Sequence, residues 1–148
     1  MVSSSKNLAL IPVSLKKEEN LVLTFSDFIL GFMAFCEKQG RKSFPAFSSP
    51  FWHVWLYEAK KKFVGQYPQL EIIGEFDWDR EYPTSRRLEE VRPGLCYKIK
   101  WLSPYYSRIL LRDGLSDEQK GGDFFRENPD LVRELYEMAC GTKGFLEE

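Results

Sequence analysis

The sequence predicts an α+β fold in which helices pack around a small antiparallel sheet. Three segments repeat apolar residues with helical spacing, and two shorter segments alternate apolar with charged residues. Helices precede and follow the strands, whereas a parallel α/β fold would alternate the two. With 148 residues, of which 43% are hydrophobic, the chain is long enough for one core. We therefore expect a single domain over residues 1–148, winged-helix-like in its element order, with residues 1–7 disordered.

The first predicted helix runs from Thr24 to Gln39. Before it, residues 8–15 include Pro12, which restricts that segment to an edge strand at most. Thr24 or Ser26 can cap the helix by accepting from free backbone N–H groups. The helix is apolar around most of its circumference, and Gly40 ends it. We therefore expect it to lie at the centre of the domain.

The second predicted helix runs from Pro50 to Gln66. Ser49 is a plausible cap, and Pro50 has its φ angle already set for the first turn. Its inner face is predicted to consist of Trp52, Trp55, Leu56, Ala59 and Phe63. The basic run 60–62 is expected to point mostly outward.

Two strands and a short helix are predicted next. Residues 70–78 alternate apolar and acidic positions, which is typical of a half-buried strand. A short helix over residues 86–91 follows the capping residues Thr84 and Ser85. A second strand over residues 95–102 places Tyr97, Ile99 and Trp101 on one face and two lysines on the other. The predicted core draws on every element and consists of Phe28, Ile29, Phe32, Trp55, Ala59, Phe63, Ile72, Ile99 and Leu135.

The C-terminal third is less regular. Residues 105–112 fit either a strand or a helix. The pair Gly121-Gly122 is expected to interrupt whatever begins near Ser116. A last helix from Asn128 to Cys140 is clear from its apolar stripe, and Gly141 ends it. Residues 113–148 should therefore form an acidic, helical C-terminal part.

The residue types needed for most catalytic and metal sites are sparse. Cys36, Cys96 and Cys140 are too far apart in sequence for a zinc-binding or dithiol pair, and we expect them to be reduced and unpaired. His53 is the only histidine, and a satisfied or solvent-facing helix histidine is the simplest interpretation. No phosphate-binding glycine motif occurs. We therefore expect neither a cofactor nor a metal.

One acidic constellation keeps an enzymatic alternative open. The four carboxylates at positions 75, 77, 79 and 81 would share one face of an extended strand. Such a face could bind Mg²⁺ or Ca²⁺, or act as an acid/base pair on a sugar. A solvated outer face of a half-buried strand has the same pattern and is the preferred interpretation.

The charge is distributed unevenly along the chain. Residues 1–112 carry 17 basic and 12 acidic side chains, whereas residues 113–148 carry 4 and 10, within a net charge of −1. Clustered basic groups are the electrostatic signature of phosphate-backbone binding. A solvated surface is the slightly preferred interpretation of each cluster alone, and the helix–helix–strand–strand order favours binding. The predicted contacts to nucleic acid are Lys60, Lys61, Lys62, Arg86, Arg87 and Lys98.

The segment from Phe76 to Val91 resembles part of the SocA-like, or Panacea, antitoxin domains. An aromatic-acidic stretch, then Tyr82-Pro83-Thr84-Ser85, then Leu88-Glu89-Glu90 carries the resemblance over sixteen residues. It implies a prokaryotic protein with a winged-helix scaffold, in which helices precede a two-stranded wing. The resemblance also implies protein partners as an alternative to DNA. Two departures are a helix between the predicted strands and a tryptophan-rich second helix.

Three functions follow as alternatives. The first is a non-enzymatic, winged-helix-type module that is regulatory or binds nucleic acid, most simply duplex DNA. The second is an antitoxin-like or adaptor domain that binds a protein, and the third is an enzyme that uses the acidic strand. A homodimer is possible in the first two. The longest apolar stretch is far shorter than the roughly 20 residues that span a bilayer, so we expect a cytoplasmic protein without a membrane segment.

Overall fold

The computed structural model describes residues 23–92, 95, 97–104, 106–111, 120–142 and 145–146. Its helices are α1 Phe25–Lys38, α2 Pro50–Phe63, α3 Arg86–Val91, α4 Lys120–Glu127 and α5 Pro129–Cys140, with a 3₁₀ helix over Pro68–Ile73. Its strands are β1 Phe44–Pro45, β2 Phe76–Asp77, β3 Thr84–Ser85, β4 Tyr97–Ser103 and β5 Tyr106–Leu111. The predictions for residues 1–20, for Cys96 and for the segment around Ser116 lie outside the described residues.

The two long N-terminal helices form as predicted because their ends are capped by side chains. Thr24 accepts from the backbone N–H of Asp27, whose carboxylate in turn accepts from the N–H of Thr24. Ser49 caps α2 and Pro50 occupies its first turn. The second helix ends at Phe63, three residues earlier than predicted.

The α+β prediction is confirmed by a three-stranded antiparallel sheet of order β1-β5-β4. The segment that fitted either a strand or a helix is strand β5, which pairs with β1 through Phe44 opposite Ile109 and with β4 through Ile99 opposite Ile109. Strands β2 and β3 form a separate two-stranded ribbon. The chain thus enters the sheet between α1 and α2 and returns to it as the hairpin β4–β5.

The predicted strand over residues 70–78 is wrong for most of its length. Residues 68–73 form the 3₁₀ helix, and Leu70 and Ile73 on one side of its three-residue turn are fully buried. Gly74 then adopts a φ of 79°, which reverses the chain and ends the helix. Only Phe76 and Asp77 are extended.

Two other expectations fail for reasons of tertiary packing. The pair Gly121-Gly122 lies inside α4 rather than breaking it. Each glycine costs a helix about 1 kcal/mol, but Phe124 and Phe125 bury their rings and hold the helix in place. Ile99 lies on the outer strand β4, directly opposite the buried Ile109, and it is exposed.

The core forms around two tryptophans on α2. Trp52 and Trp55 are buried, and their indole N–H groups donate to the carbonyls of Pro45 and Leu135, over 2.7 and 3.0 Å. These bonds satisfy the polar end of each large ring, as buried tryptophans require. Of the nine predicted core residues, all are buried except Ile72, which is partly buried, and Ile99.

The C-terminal residues return to the sheet at Arg108. This buried guanidinium donates to the carbonyl oxygens of Ser43 and Phe145, each over 2.8 Å, and to the Ser43 hydroxyl. The Phe145 ring lies against Trp52 and Trp55. One charged side chain therefore ties β1, β5 and the C-terminal segment together.

Candidate functional site

The basic residues at the end of α2 point in different directions, because successive helical residues are rotated by about 100°. Lys60 Nζ donates to the Gly74 carbonyl over 2.7 Å. The Arg87 guanidinium also lies at Gly74, with Nε 3.5 Å from the position of an added Cβ. Two of the predicted site residues thus meet where the 3₁₀ helix ends.

Two more predicted residues flank the β2–β3 ribbon and carry carboxylate partners. Arg86 Nε donates to Asp77 Oδ1 over 2.7 Å, which raises the pKa of the guanidinium. Lys61 Nζ lies 3.6 Å from Glu58 Oε1 and 5.3 Å from the centre of the Tyr57 ring. Their positive charge is therefore largely balanced locally.

The remaining two predicted residues lie elsewhere. Lys62 Nζ approaches Glu134 Oε1 of α5 at 3.9 Å, and Lys98 is on β4 opposite Leu110. The structure thus brings Lys60, Arg86 and Arg87 together around the ribbon, with Lys61 beside them. Lys62 instead faces α5, and Lys98 lies on the hairpin β4–β5.

Three aromatic rings lie among these basic groups, and the sequence had suggested only core packing for them. The Tyr57 ring meets Phe76 and Trp78 edge to face, with centroids 5.4 and 5.1 Å apart. They line a shallow depression of about 310 Å³ together with Lys60, Lys61, Val64 and Glu75. Trp78 remains 62% exposed. We call Tyr57, Lys60, Lys61, Trp78 and Arg86 the ribbon surface.

A second surface lies on the hairpin β4–β5 and is mainly apolar. Trp101 is 65% exposed, Ile99 55%, Leu102 51% and Tyr106 46%, and we call these four residues the hairpin surface. A shallow hollow beside them is lined by Trp101, Leu102, Ser103 and Pro104. The alternation of residues 97–101 predicted an inward apolar face, so sequence reasoning placed Ile99 in the core and missed this surface.

His53 is buried and serves the fold. Its Nδ1 accepts the backbone N–H of Ser85 over 3.0 Å, so the nitrogen that could act as a base is occupied. Nε2 lies 3.6 Å from Glu89 Oε2, longer than an ordinary hydrogen bond. Burial lowers the pKa of the imidazole, while Glu89 acts in the opposite direction. The ring is therefore neutral near pH 7 and shielded from any substrate.

The acidic residues do not form the extended face that the sequence suggested. Within residues 75–81 only Phe76 and Asp77 are in a strand, and the Asp77 carboxylate forms an ion pair with Arg86. Within the described part of the chain, no group of three or more histidine, cysteine or carboxylate side chains could hold a metal ion. The alternative of a metal-dependent enzyme depended on four carboxylates sharing one face of an extended strand, and the described residues do not form that face.

An apolar cleft of about 620 Å³ is lined by residues of α1, α4 and α5. Its walls include Ala34, Phe35, Phe125, Val132 and Tyr136. Two arginines on its rim are paired with aspartates three residues earlier on their own helices, Arg126 with Asp123 and Arg133 with Asp130. The cleft therefore offers an apolar wall without a concentrated charge.

Comparison of this chain with protein-family models, with curated proteins and with solved structures finds no match. Cys36 and Cys140 are free thiols, as predicted, and burial raises the pKa of Cys36 well above its ordinary value. None of the described helices is long and apolar enough to cross a membrane. The class that the geometry defines is an α+β domain with two exposed surfaces, one basic and aromatic, the other apolar.

Proposed function

We propose that this chain is a non-enzymatic, winged-helix-like binding module that docks a protein partner on the hairpin surface. The observation that carries the proposal is the exposure of four large apolar side chains, Ile99, Trp101, Leu102 and Tyr106, on one hairpin. Several large apolar side chains exposed on one hairpin are costly in water, and such exposure is typical of interaction sites. Tryptophan and tyrosine are also the residues that most often dominate binding energy at protein interfaces.

The hairpin has a rigid base, which supports its use as a recognition element. Ile109 and Leu111 of β5 are buried, and Arg108 ties the same strand to Ser43 and Phe145. Strand β4 pairs with β5 along its length and is exposed on both faces over residues 98–103. A partner would therefore meet a preformed surface and would have little ordering entropy to overcome.

The element order supports the winged-helix part of the proposal. A short strand between α1 and α2 pairs with the second strand of a hairpin that follows the short helix α3. The β2–β3 ribbon between α2 and α3 is an addition to such a scaffold. Fold alone does not determine function, so the binding assignment depends on the exposed hairpin.

The experiment is a comparison of three immobilised proteins in extract from the native cells. They are the wild type, the hairpin variant Ile99→Ser/Trp101→Ser/Leu102→Ser, and the control Trp78→Ser, which removes an equally exposed tryptophan from the ribbon surface. We expect the hairpin variant alone to lose a specific protein, whose complex with the wild type is then rebuilt from purified components. The proposal would be contradicted if all three immobilised proteins retained the same partner equally, or if only the Trp78→Ser variant lost it.

Duplex DNA is the second candidate ligand, and the gathering of Lys60, Arg86 and Arg87 at the ribbon favours it. The test is titration of a labelled duplex at two salt concentrations. We compare the wild type with Lys60→Glu/Lys61→Glu and with the control Lys98→Glu/Lys100→Glu on the hairpin. If these cations contact phosphates, the duplex should bind more weakly at high salt, and only Lys60→Glu/Lys61→Glu should reduce the affinity. The carboxylates Glu58 and Asp77 beside these cations make the apolar hairpin the stronger candidate.

A further inference from the structure

Trp78 presents much of its ring to solvent directly after strand β2. It follows Asp77, the last residue of that strand, and 62% of it is exposed. The indole is perpendicular to the Tyr57 ring on α2, with centroids 5.1 Å apart. In an edge-to-face pair one ring offers its edge, so Tyr57 covers at most one of the two indole faces. A planar ligand can therefore lie against the exposed indole.

The position of Trp78 is fixed by bonds between the β2–β3 ribbon and α2. Just before β2, the Gly74 carbonyl accepts from Lys60 Nζ over 2.7 Å. In β3, the backbone N–H of Ser85 donates to His53 Nδ1. Because one helix holds both ends of the ribbon, a ligand would meet a preformed platform, and little conformational entropy would be lost on binding.

Two cations near the indole lie beside carboxylates, which reduces the local positive potential. Lys61 Nζ is 3.6 Å from Glu58 Oε1 and 5.3 Å from the centre of the Tyr57 ring. Arg86 is paired with Asp77. A DNA duplex binds largely through its phosphates and keeps the faces of its bases stacked inside. A strand with unpaired bases uses an exposed ring better than a duplex does.

From the exposed indole and its flanking cations we propose that the ribbon surface binds single-stranded nucleic acid, with one base stacked on Trp78 and a neighbouring phosphate at Lys61. The depression of about 310 Å³ beside the ring is as small as the smallest ligand sites, which suits one base. Stacking on an aromatic ring accepts every base and supplies affinity without a concentrated charge.

The ion pair between Lys61 and Glu58 does not prevent this role. Both side chains are largely exposed, at 60% and 47%, and ion pairs of this kind are weak. The ammonium can therefore turn to a phosphate at little cost. The site lies on different elements from the hairpin surface, so it goes beyond the proposed function, and it differs from the duplex candidate in requiring unpaired bases.

The experiment is a titration of the full chain into a labelled oligothymidylate of about twelve nucleotides, a length within the range that single-strand sites cover. An oligouridylate of equal length extends the test to RNA, and binding of either strand meets the expectation. One control ligand is the thymidylate strand annealed to its complement, which hides the base faces. The other is an abasic strand of equal length, which keeps the phosphates and lacks the bases. We expect both controls to bind about tenfold more weakly or worse.

Three variants test the roles of the residues. Trp78→Ser should weaken single-strand binding about tenfold, whereas Trp78→Phe, which keeps an aromatic face, should retain most of it. The matched control Trp101→Ser removes a tryptophan of similar exposure, 65%, from the hairpin and should leave this affinity unchanged. Lys61→Gln should make the affinity less dependent on salt, because one phosphate contact is lost.

Three results would overturn the inference. One is an absence of binding at about 100 μM protein, the weak end of non-specific nucleic-acid binding. The others are equal affinity for the abasic strand and equal losses from Trp78→Ser and Trp101→Ser. If the single strand fails to bind while the hairpin variant still loses its cellular partner, the proposed function stands and only the ribbon site is wrong.

Discussion

The backbone N–H of Ser85 donates to Nδ1 of His53 over 3.0 Å, which joins the beginning of α3 to α2. Both residues are fully buried. Because Nδ1 is the acceptor, the neutral ring carries its proton on Nε2, on the side of Glu89. The Ser85 hydroxyl in turn caps α3 by accepting the N–H of Leu88. Two buried residues thus fix where the short helix begins.

Replacing His53 with phenylalanine should destabilise the protein by about 1–3 kcal/mol. The ring shape is partly retained, but the buried N–H of Ser85 loses its acceptor, and such a group costs about that much when unsatisfied. Urea denaturation measures the difference. A change below about 0.5 kcal/mol would show that this hydrogen bond is not needed.

The same histidine should make stability depend on pH. Its folded-state pKa lies below the ordinary value of 6.5 because burial penalises the charged ring, with Arg80 and Arg92 acting in the same direction and Glu89 against them. Between the two values the unfolded chain binds more protons than the folded one. The stabilisation is therefore present above about pH 6.5 and is lost as the pH falls through the folded-state pKa.

The measurement is the free energy of unfolding of the wild type and of His53→Phe between pH 5 and pH 8. The gap between the two proteins should narrow as the pH falls. Glu89→Gln should enlarge the loss and extend it to a lower pH, because the carboxylate is the group that favours protonation of the folded-state ring. Parallel curves for the wild type and His53→Phe would contradict the assignment.

Arg108→Lys should cost about 3 kcal/mol even though the charge is retained. A single ammonium cannot reach the Ser43 and Phe145 carbonyls together with the Ser43 hydroxyl as the guanidinium does. Bonds to a charged group contribute about 1.5–3 kcal/mol each. The matched control is Arg126→Lys, an exposed pair with Asp123, which should change stability by less than about 0.5 kcal/mol. Faster proteolysis near Phe145 in the first variant alone would show that the C-terminal segment is released.

Phe32→Ala should cost about 3–5 kcal/mol, because the fully buried ring packs against Trp55 with centroids 4.3 Å apart. The control is Ile99→Ala, at a position that the sequence also placed in the core. Because Ile99 is exposed, its truncation should change stability by less than about 0.5 kcal/mol. Similar costs for the two variants would mean that the central position of α1 or the exposure of the hairpin is wrong.

Local signals in the sequence were sufficient to predict a helix where capping residues mark its ends. Thr24 and Gly40 bracket α1, Ser49 and Pro50 begin α2, and Ser85 begins α3. Each cap satisfies backbone groups within a few residues, so its energy does not depend on the rest of the fold. The α+β class followed from these elements and their order.

The sequence was a poor guide to the candidate sites. Alternation over residues 70–78 predicted a strand, yet the fully buried Ile73, the one position that broke the pattern, anchors a 3₁₀ helix. Alternation around Ile99 also predicted burial, although this side chain is exposed on the outer strand of the sheet. A periodic pattern shows which residues share a face, but not whether another element covers that face.

The sequence by itself determined the capped helices, the α+β class and most of the core. Helix caps and apolar stripes depend on residues that are close together in the sequence. Only the tertiary structure decided that Lys60 and Arg87 meet at Gly74, that Arg108 binds the C-terminal segment, and that Trp101 is left in water. These three outcomes depend on contacts between residues distant along the chain. Their energies come from pairs that exist only after the elements have packed.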